Sequence, residues 1–352
     1  MPRFYYGGQA IMEGVMMRGR QSVAAAIRRP EGDIYVYEEA LNSKLYQSKV
    51  LRLPFLRGIM VLWEMMVLGT RIMTLSANIA FGAISSDAAN TMTSRTDEPL
   101  QSEVRSNATP ETSEPSETSE KEMPQLGEVA ILVTVLLSLV FAIGLFFVTP
   151  LLLANLLRHQ IGEGWLNLVF EGVIRLVLLI GYLYLIGRIP DIRRVFGYHG
   201  AEHKAINAME QGDPLDIPHV RRASRVHTRC GTGFLLIVMV VSILVFALIG
   251  SPSLPVKIIS RIILVPVLAG ISYELIRLGA ANYRFRVVRW LLAPSLALQG
   301  LTTCEPDDGM IECAIASLQR VLAFDEANES INDKPKQENE RTDDVSSLTV
   351  SK

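Results

Sequence analysis

Cysteine and histidine are scarce in this chain, three and five of 352 residues. Three cysteines are too few for a disulfide framework, and five histidines are few enough that any two close together are informative. The N-terminus "MPRFYYGGQAIMEG" has no apolar h-region, so no cleavable signal peptide is expected. The glycines of "YYGGQAIMEGVMMRGR" fit the spacing of neither a phosphate loop nor a dinucleotide fingerprint, which excludes both nucleotide sites there. A formal net charge of −2 supplies no basic excess, and no nucleic-acid partner is expected.

Apolar residues, by contrast, are abundant. They make up 49% of the chain, and the mean hydropathy of +0.27 is too high for an ordinary soluble domain. Four stretches read as membrane spans: residues 129–148, which carry no charge, and residues 165–186, 232–249 and 258–278. Lys and Arg number nine before Gly58 and eight between Gly187 and Gly231, against one in each of the connections 149–164 and 250–257. The positive-inside rule then places both termini and the middle loop in the cytoplasm. In that reducing compartment Cys230, Cys304 and Cys313 are expected as free thiols or metal ligands.

Residues 54–84 are also apolar over a length that would allow a fifth span. Charge parity argues against a crossing, because one would put the nine N-terminal basic residues outside. Arg57, Glu64, Arg71 and Asn78 recur every seven residues, a polar stripe on an apolar helix. The stripe reads as an amphipathic helix at the cytoplasmic interface, or as a re-entrant helix turned toward an active cavity. Before it, "SVAAAIRRPEGDIYVYEEA" reads as two strands around a Pro-Glu-Gly-Asp turn. Residues 85–128 and 328–352 are rich in Ser, Thr, Pro and Glu or in mixed charge, and are expected to be disordered. The expected fold class is an α-helical polytopic membrane protein of about four transmembrane helices. It divides into a β-containing N-terminal part (1–53), an amphipathic or re-entrant helix (54–84), a linker (85–128), two transmembrane hairpins (129–187 and 232–279) around a cytoplasmic loop (188–231), C-terminal helices (280–327) and a tail (328–352).

The chemistry gathers in the middle loop. In "VFGYHGAEHKAI", His199 and His203 are four apart, the spacing at which two imidazoles on one helix face reach one ion. Downstream, "RVHTRCGTG" places His227 and Cys230 three apart just before the third span. Together they make a complete tetrahedral zinc set. If all four bind, the site is closed and structural; if three bind, a water takes the open position. "HGAEH" also fits the His-x-x-Glu-His pattern in which the glutamate is general base, so Glu202 is the candidate catalytic residue. The bland account is a solvated Glu202 beside Lys204 and ordinary polar histidines.

Other ionisable residues are weaker candidates. Glu171 and Arg175 are four apart within one span and read as a self-neutralising structural pair. Glu274, in "GISYELIRLG", is a candidate additional ligand near the cytoplasmic end of the last span, and Glu13 and Arg18 are candidate substrate contacts in the Gly-rich N-terminal stretch.

The stretches "GGQAIMEGVMMRG", "PFLRGIMVLWE", "FGYHGAEHKAINAME", "RVHTRCGTGFLLIVM", "PVLAGISYELIRL" and "LTTCEPDDGMIECAIASL" together resemble, in order, the successive motifs of the YqhQ-like family of bacterial membrane proteins. The resemblance implies a polytopic protein described as a predicted metal-dependent enzyme, in the bacterial cytoplasmic (inner) membrane. The residues and the resemblance together favour metal-assisted hydrolysis at the cytoplasmic membrane face, on a membrane-associated peptide or a lipid-linked substrate. His199, His203 and His227 are then ligands of a divalent metal, zinc by its mixed nitrogen and sulfur donors, with Glu202 as base and Cys230 as fourth ligand or neighbour. The alternative is a non-catalytic scaffold or transport component stapled by structural zinc. Beyond the lipid bilayer no partner is specified, and the oligomeric state is left open.

Overall fold

The structure, a computed structural model, describes residues 6–41, 53–82, 128–157, 165–249 and 254–348. Its N-terminal part is a four-stranded antiparallel meander in the order β1 (Gly7–Ile11), β2 (Gly14–Arg18), β3 (Ser22–Arg28) and β4 (Ile34–Ala40). The Gly-rich N-terminal stretch is a hairpin: Ile11 pairs with Gly14, and Glu13 adopts a left-handed φ of 52° in the turn. The next hairpin is the one that the alternating β-branched and aromatic residues predict, with Arg28 opposite Ile34.

Both faces of this sheet are covered. In β3 the side chains of Val23, Ala25 and Ile27 join one apolar cluster, and Ala24 and Ala26 join another, as the two-residue strand period requires. The first face packs on helix α1 (Leu56–Ala80) through Leu68, Ile72 and Ile79. The second packs on α5 (Pro190–Gln211) and α10 (Asp308–Leu348) through Tyr198, Ala201, Ala205, Ile311 and Leu318. Each fully buried Val, Ile or Leu in these layers contributes about 1.5–3 kcal/mol, and the second cluster is the one that joins the N-terminal sheet to the C-terminal end of the chain.

The polar stripe of α1 has partners. Glu64 pairs with Arg18 of β2 at 3.2 Å, Arg71 pairs with Glu39 of β4, and Arg57 Nε donates to Glu274 Oε1 at 2.7 Å, while Asn78 is exposed. Ser76 of α1 accepts the amide of Met12 at 3.2 Å. From Glu64 to Ile79, about 24 Å of helix at 1.5 Å per residue, α1 therefore lies along the sheet.

The remaining helices are α2 (Glu128–Ile143), continued through a π-helical turn (Gly144–Val148) into α3 (Thr149–Leu156); α4 (Trp165–Ile186); α6 (Ile217–Arg222); α7 (Gly231–Ile249); α8 (Leu254–Ala281); and α9 (Arg286–Thr302). Among the described residues, five helical segments are long and apolar enough to cross a membrane: Leu56–Ala80, Leu136–Leu156, Leu166–Ile186, Gly231–Ile249 and Ile263–Ala281. At the centre of the bundle Arg175, 1% exposed, donates to Glu171 at 2.8 Å, to Ser242 Oγ at 3.3 Å and to the carbonyl of Phe146 at 2.9 Å. Phe146 belongs to the π-helical turn, where a widened backbone offers a carbonyl to a partner outside the helix. The acidic linker lies outside the described residues apart from Glu128, whereas α10 runs as helix to Leu348, past residue 328 where composition predicts disorder.

Candidate metal centre

Helix α5 positions two of the four ligand candidates, His199 and His203. Pro190 opens it at N1/N2, Asp191 sits in its first turn, and its middle, from Gly200 to Ile206, is buried throughout. A glycine is required at position 200, because a Cβ there would lie 2.2 Å from the carbonyl oxygen of Cys304. That close approach brings the end of α9 onto the helix beside His199.

The imidazoles are fixed by backbone carbonyls. His199 Nδ1 donates to Thr302 O at 2.9 Å, and His203 Nδ1 donates to Arg225 O at 2.5 Å. A carbonyl oxygen only accepts, so both rings carry a proton on Nδ1, and in the neutral imidazole Nε2 is then the free lone pair. This is the second-sphere arrangement that orients metal-binding histidines. Cys230 stands at the start of α7, 5% exposed, with Sγ 3.3 Å from His199 Nε2 and accepting from the Thr232 amide at 3.4 Å. One ligand atom each from His199, His203 and Cys230 lie within 4.8 Å of one another.

Glu202 is buried, 5% exposed, rather than solvated, and its Oε2 lies 3.8 Å from His199 Nε2 and 4.0 Å from His203 Nε2. Strand β1 closes over it at Gly8, where a Cβ would meet Glu202 Cγ at 2.9 Å. Lys204, 4% exposed, turns away and pairs with Glu305 at 2.7 Å while donating to Arg221 O at 2.6 Å. The adjacent ammonium thus does not neutralise Glu202.

His227 stands next to the trio but outside it. Its ring centroid is 5.7 Å from that of His203, and its buried Nε2 has no hydrogen-bond partner. Glu210 Oε2 is 3.9 Å away, too far for a hydrogen bond. Burial is the largest influence on the Glu210 carboxyl and would raise its pKa, but the neighbouring His227 and Arg229 together hold it below the usual range. The other sequence candidates lie elsewhere: Glu274 is held by Arg57, Arg18 pairs with Glu64, and Glu13 pairs with Arg194 at 2.6 Å and accepts from Tyr198 at 3.1 Å.

Sequence reasoning missed Gln299. It is 1% exposed and clamps the backbone of His227 in both directions, accepting from its amide at 3.0 Å and donating to its carbonyl at 2.8 Å. With Thr302, it makes the last two turns of α9 the outer shell of the centre. The only signal was a lone amide in the apolar run "LALQGL".

A family model described as "Protein of unknown function (DUF1385)" matches residues 53–324. The chain belongs to this family. DUF1385 thus covers α1 and every helix that builds the candidate centre, while the sheet precedes the match. The chain is also 34% identical over 331 residues, 94% of its own length and 96% of the other, to the "Uncharacterized protein YqhQ" of Bacillus subtilis (strain 168). No solved structure matches this DUF1385 member.

Proposed function

We propose that this protein is a metal-dependent hydrolase at the cytoplasmic face of the bacterial inner membrane, acting on a membrane-associated peptide or lipid-linked substrate. The observation that carries the reading is the pair of bare Nε2 atoms, each fixed by an Nδ1–H···O=C bond, converging with Cys230 Sγ beside a buried carboxylate. Two imidazoles and a thiolate suit zinc. A divalent ion held by His199, His203 and Cys230 would supply a Lewis acid and lower the pKa of a water toward neutrality. With Nδ1–H bonded to carbonyl oxygens and Nε2 turned to the ion, His199 and His203 would serve as ligands and not as proton carriers. Glu202 Oε2 is the group placed to accept a proton from a water on the His/His/Cys face and to hold it for the leaving group.

In this reading α2–α3, α4, α7 and α8 cross the bilayer and α1 does not, because its charged partners Arg18 and Glu39 lie on a sheet that has no place in hydrocarbon. Both termini are then cytoplasmic.

A second reading, a structural zinc in a scaffold or transport component, draws support from the unpartnered Nε2 of His227, which a fourth bond to metal would satisfy. Glu202→Gln separates the two. The hydrolase requires that this variant keep its abundance and metal content and lose the cellular function, with His203→Ala losing both. Full complementation of a deletion by Glu202→Gln overturns the hydrolase in favour of the scaffold.

A further inference from the structure

Helix α9 has the polarity of a helix in an apolar solvent. Its buried face carries Ser295, Gln299 and Thr302 alongside Leu292 and Leu298. Its exposed positions after Arg289 are Trp290, Leu291, Ala293, Pro294, Ala297 and Gly300, with no charge among them. Trp290 is 76% exposed and Leu291 62%. A helix on a water-facing surface shows the reverse pattern.

The approach to α9 is as basic as its body is apolar. Arg284, Arg286 and Arg289 are exposed beside exposed Phe285 and Val287, and Arg284 stacks over Phe285 at 4.8 Å. Among the described residues no carboxylate pairs with these three arginines. They follow directly on the candidate span Ile263–Ala281, just beyond the end of that helix. Leu298 packs on Leu179, Leu183 and Leu236, and Leu292 lies against Gly279. α9 is thereby laid across the site-side ends of α4, α7 and α8.

We propose that α9 lies in the membrane interface, with its Trp290–Gly300 face among acyl chains and Arg284, Arg286 and Arg289 on the phosphates of anionic lipid headgroups. Guanidinium groups favour phosphate oxygens, and aromatic side chains settle at the same depth. The opposite face of the helix holds His227 through Gln299 and His199 through Thr302. The candidate centre therefore lies beside the bilayer edge, along which a lipid-linked substrate would reach it by lateral diffusion. This consequence for substrate class rests on the hydrolase reading, whereas the lipid contact stands without it.

The test uses the full chain with Trp63→Phe and Trp165→Phe, leaving Trp290 as the one indole, reconstituted in vesicles of phosphatidylcholine and phosphatidylglycerol. Acyl-brominated lipid should quench its fluorescence and aqueous iodide should not. Strong iodide quenching without bromolipid quenching overturns the interfacial placement. In parallel, an Arg284→Gln, Arg286→Gln, Arg289→Gln variant should lose on the order of a hundredfold in its preference for phosphatidylglycerol over phosphatidylcholine, from three lost headgroup contacts. Inorganic phosphate should not compete. An unchanged preference, or competition by phosphate, overturns the headgroup assignment. Metal content, measured on the same samples, reports separately on the hydrolase reading and should be unaltered.

Discussion

Glu202, His203 and Lys204 are three consecutive ionisable residues, all nearly inaccessible to water. Each is oriented by a different neighbour: the imidazole by a carbonyl, the ammonium by Glu305, and the carboxylate toward the two Nε2 atoms. The four-residue spacing of His199 and His203 placed both on one helix face, and "HGAEH" pointed to Glu202, so much of the centre was legible in residue types. Its outer shell was not, because Thr302 and Arg225 act through backbone carbonyls, which every residue carries. Cys313 shows the same environment acting on a thiol outside the centre. Fully buried between the sheet and α5, it is pushed up from an ordinary value of 9 to about 11, chiefly by loss of solvation. A raised pKa means that the folded state holds this proton more tightly than the unfolded one. Its contribution is complete below about pH 9 and lost as pH rises through about 11. Stability should accordingly fall over that window in thermal melts of the parent and fall less in Cys313→Ala; parallel profiles would refute the assignment.

Among the elements, α1 and α4 show how far apolar composition goes. In α1 it met the length and hydropathy of a span, yet the helix lies along a sheet, since an apolar cylinder with a charged stripe satisfies either environment until its partners are known. Arg57, Glu64 and Arg71 gave no sign in sequence of their partners Glu274, Arg18 and Glu39, which are distant along the chain. In α4 the local pair Glu171–Arg175 was readable from its spacing, but its third partner was not: the carbonyl of Phe146 becomes available through the π-helical turn. Arg175→Ala leaves the Glu171 carboxylate without its arginine inside the bundle and should destabilise the protein by about 3–5 kcal/mol, the usual cost of breaking a buried ion pair from one side. Adding Glu171→Gln should recover part of that loss. Thermal melts in one detergent provide the comparison, and a single variant as stable as the parent would show that the pair is not a structural clamp.

At the scale of the molecule, the sheet, α5 and α10 form a layered body. The ends of α4, α7 and α8 rise into it, and the candidate centre lies at that junction. The proposed topology, in which α1 does not carry the chain across, has a direct consequence: cysteines introduced at residues 100–120 and in the loop 188–231 should be labelled from the same side, the cytoplasmic one. Labelling of the two segments from opposite sides would make α1 a fifth span. The central claim is that α5 and the start of α7 bind one metal ion, and metal analysis with X-ray absorption on the purified full-length protein tests it most directly. The account predicts about one zinc per chain, with imidazole nitrogen near 2.0 Å and a single sulfur near 2.3 Å. It also predicts loss of that metal in a folded His203→Ala, Cys230→Ala variant. Protein that folds and functions without bound metal, or a double variant that keeps the metal unchanged, would contradict it.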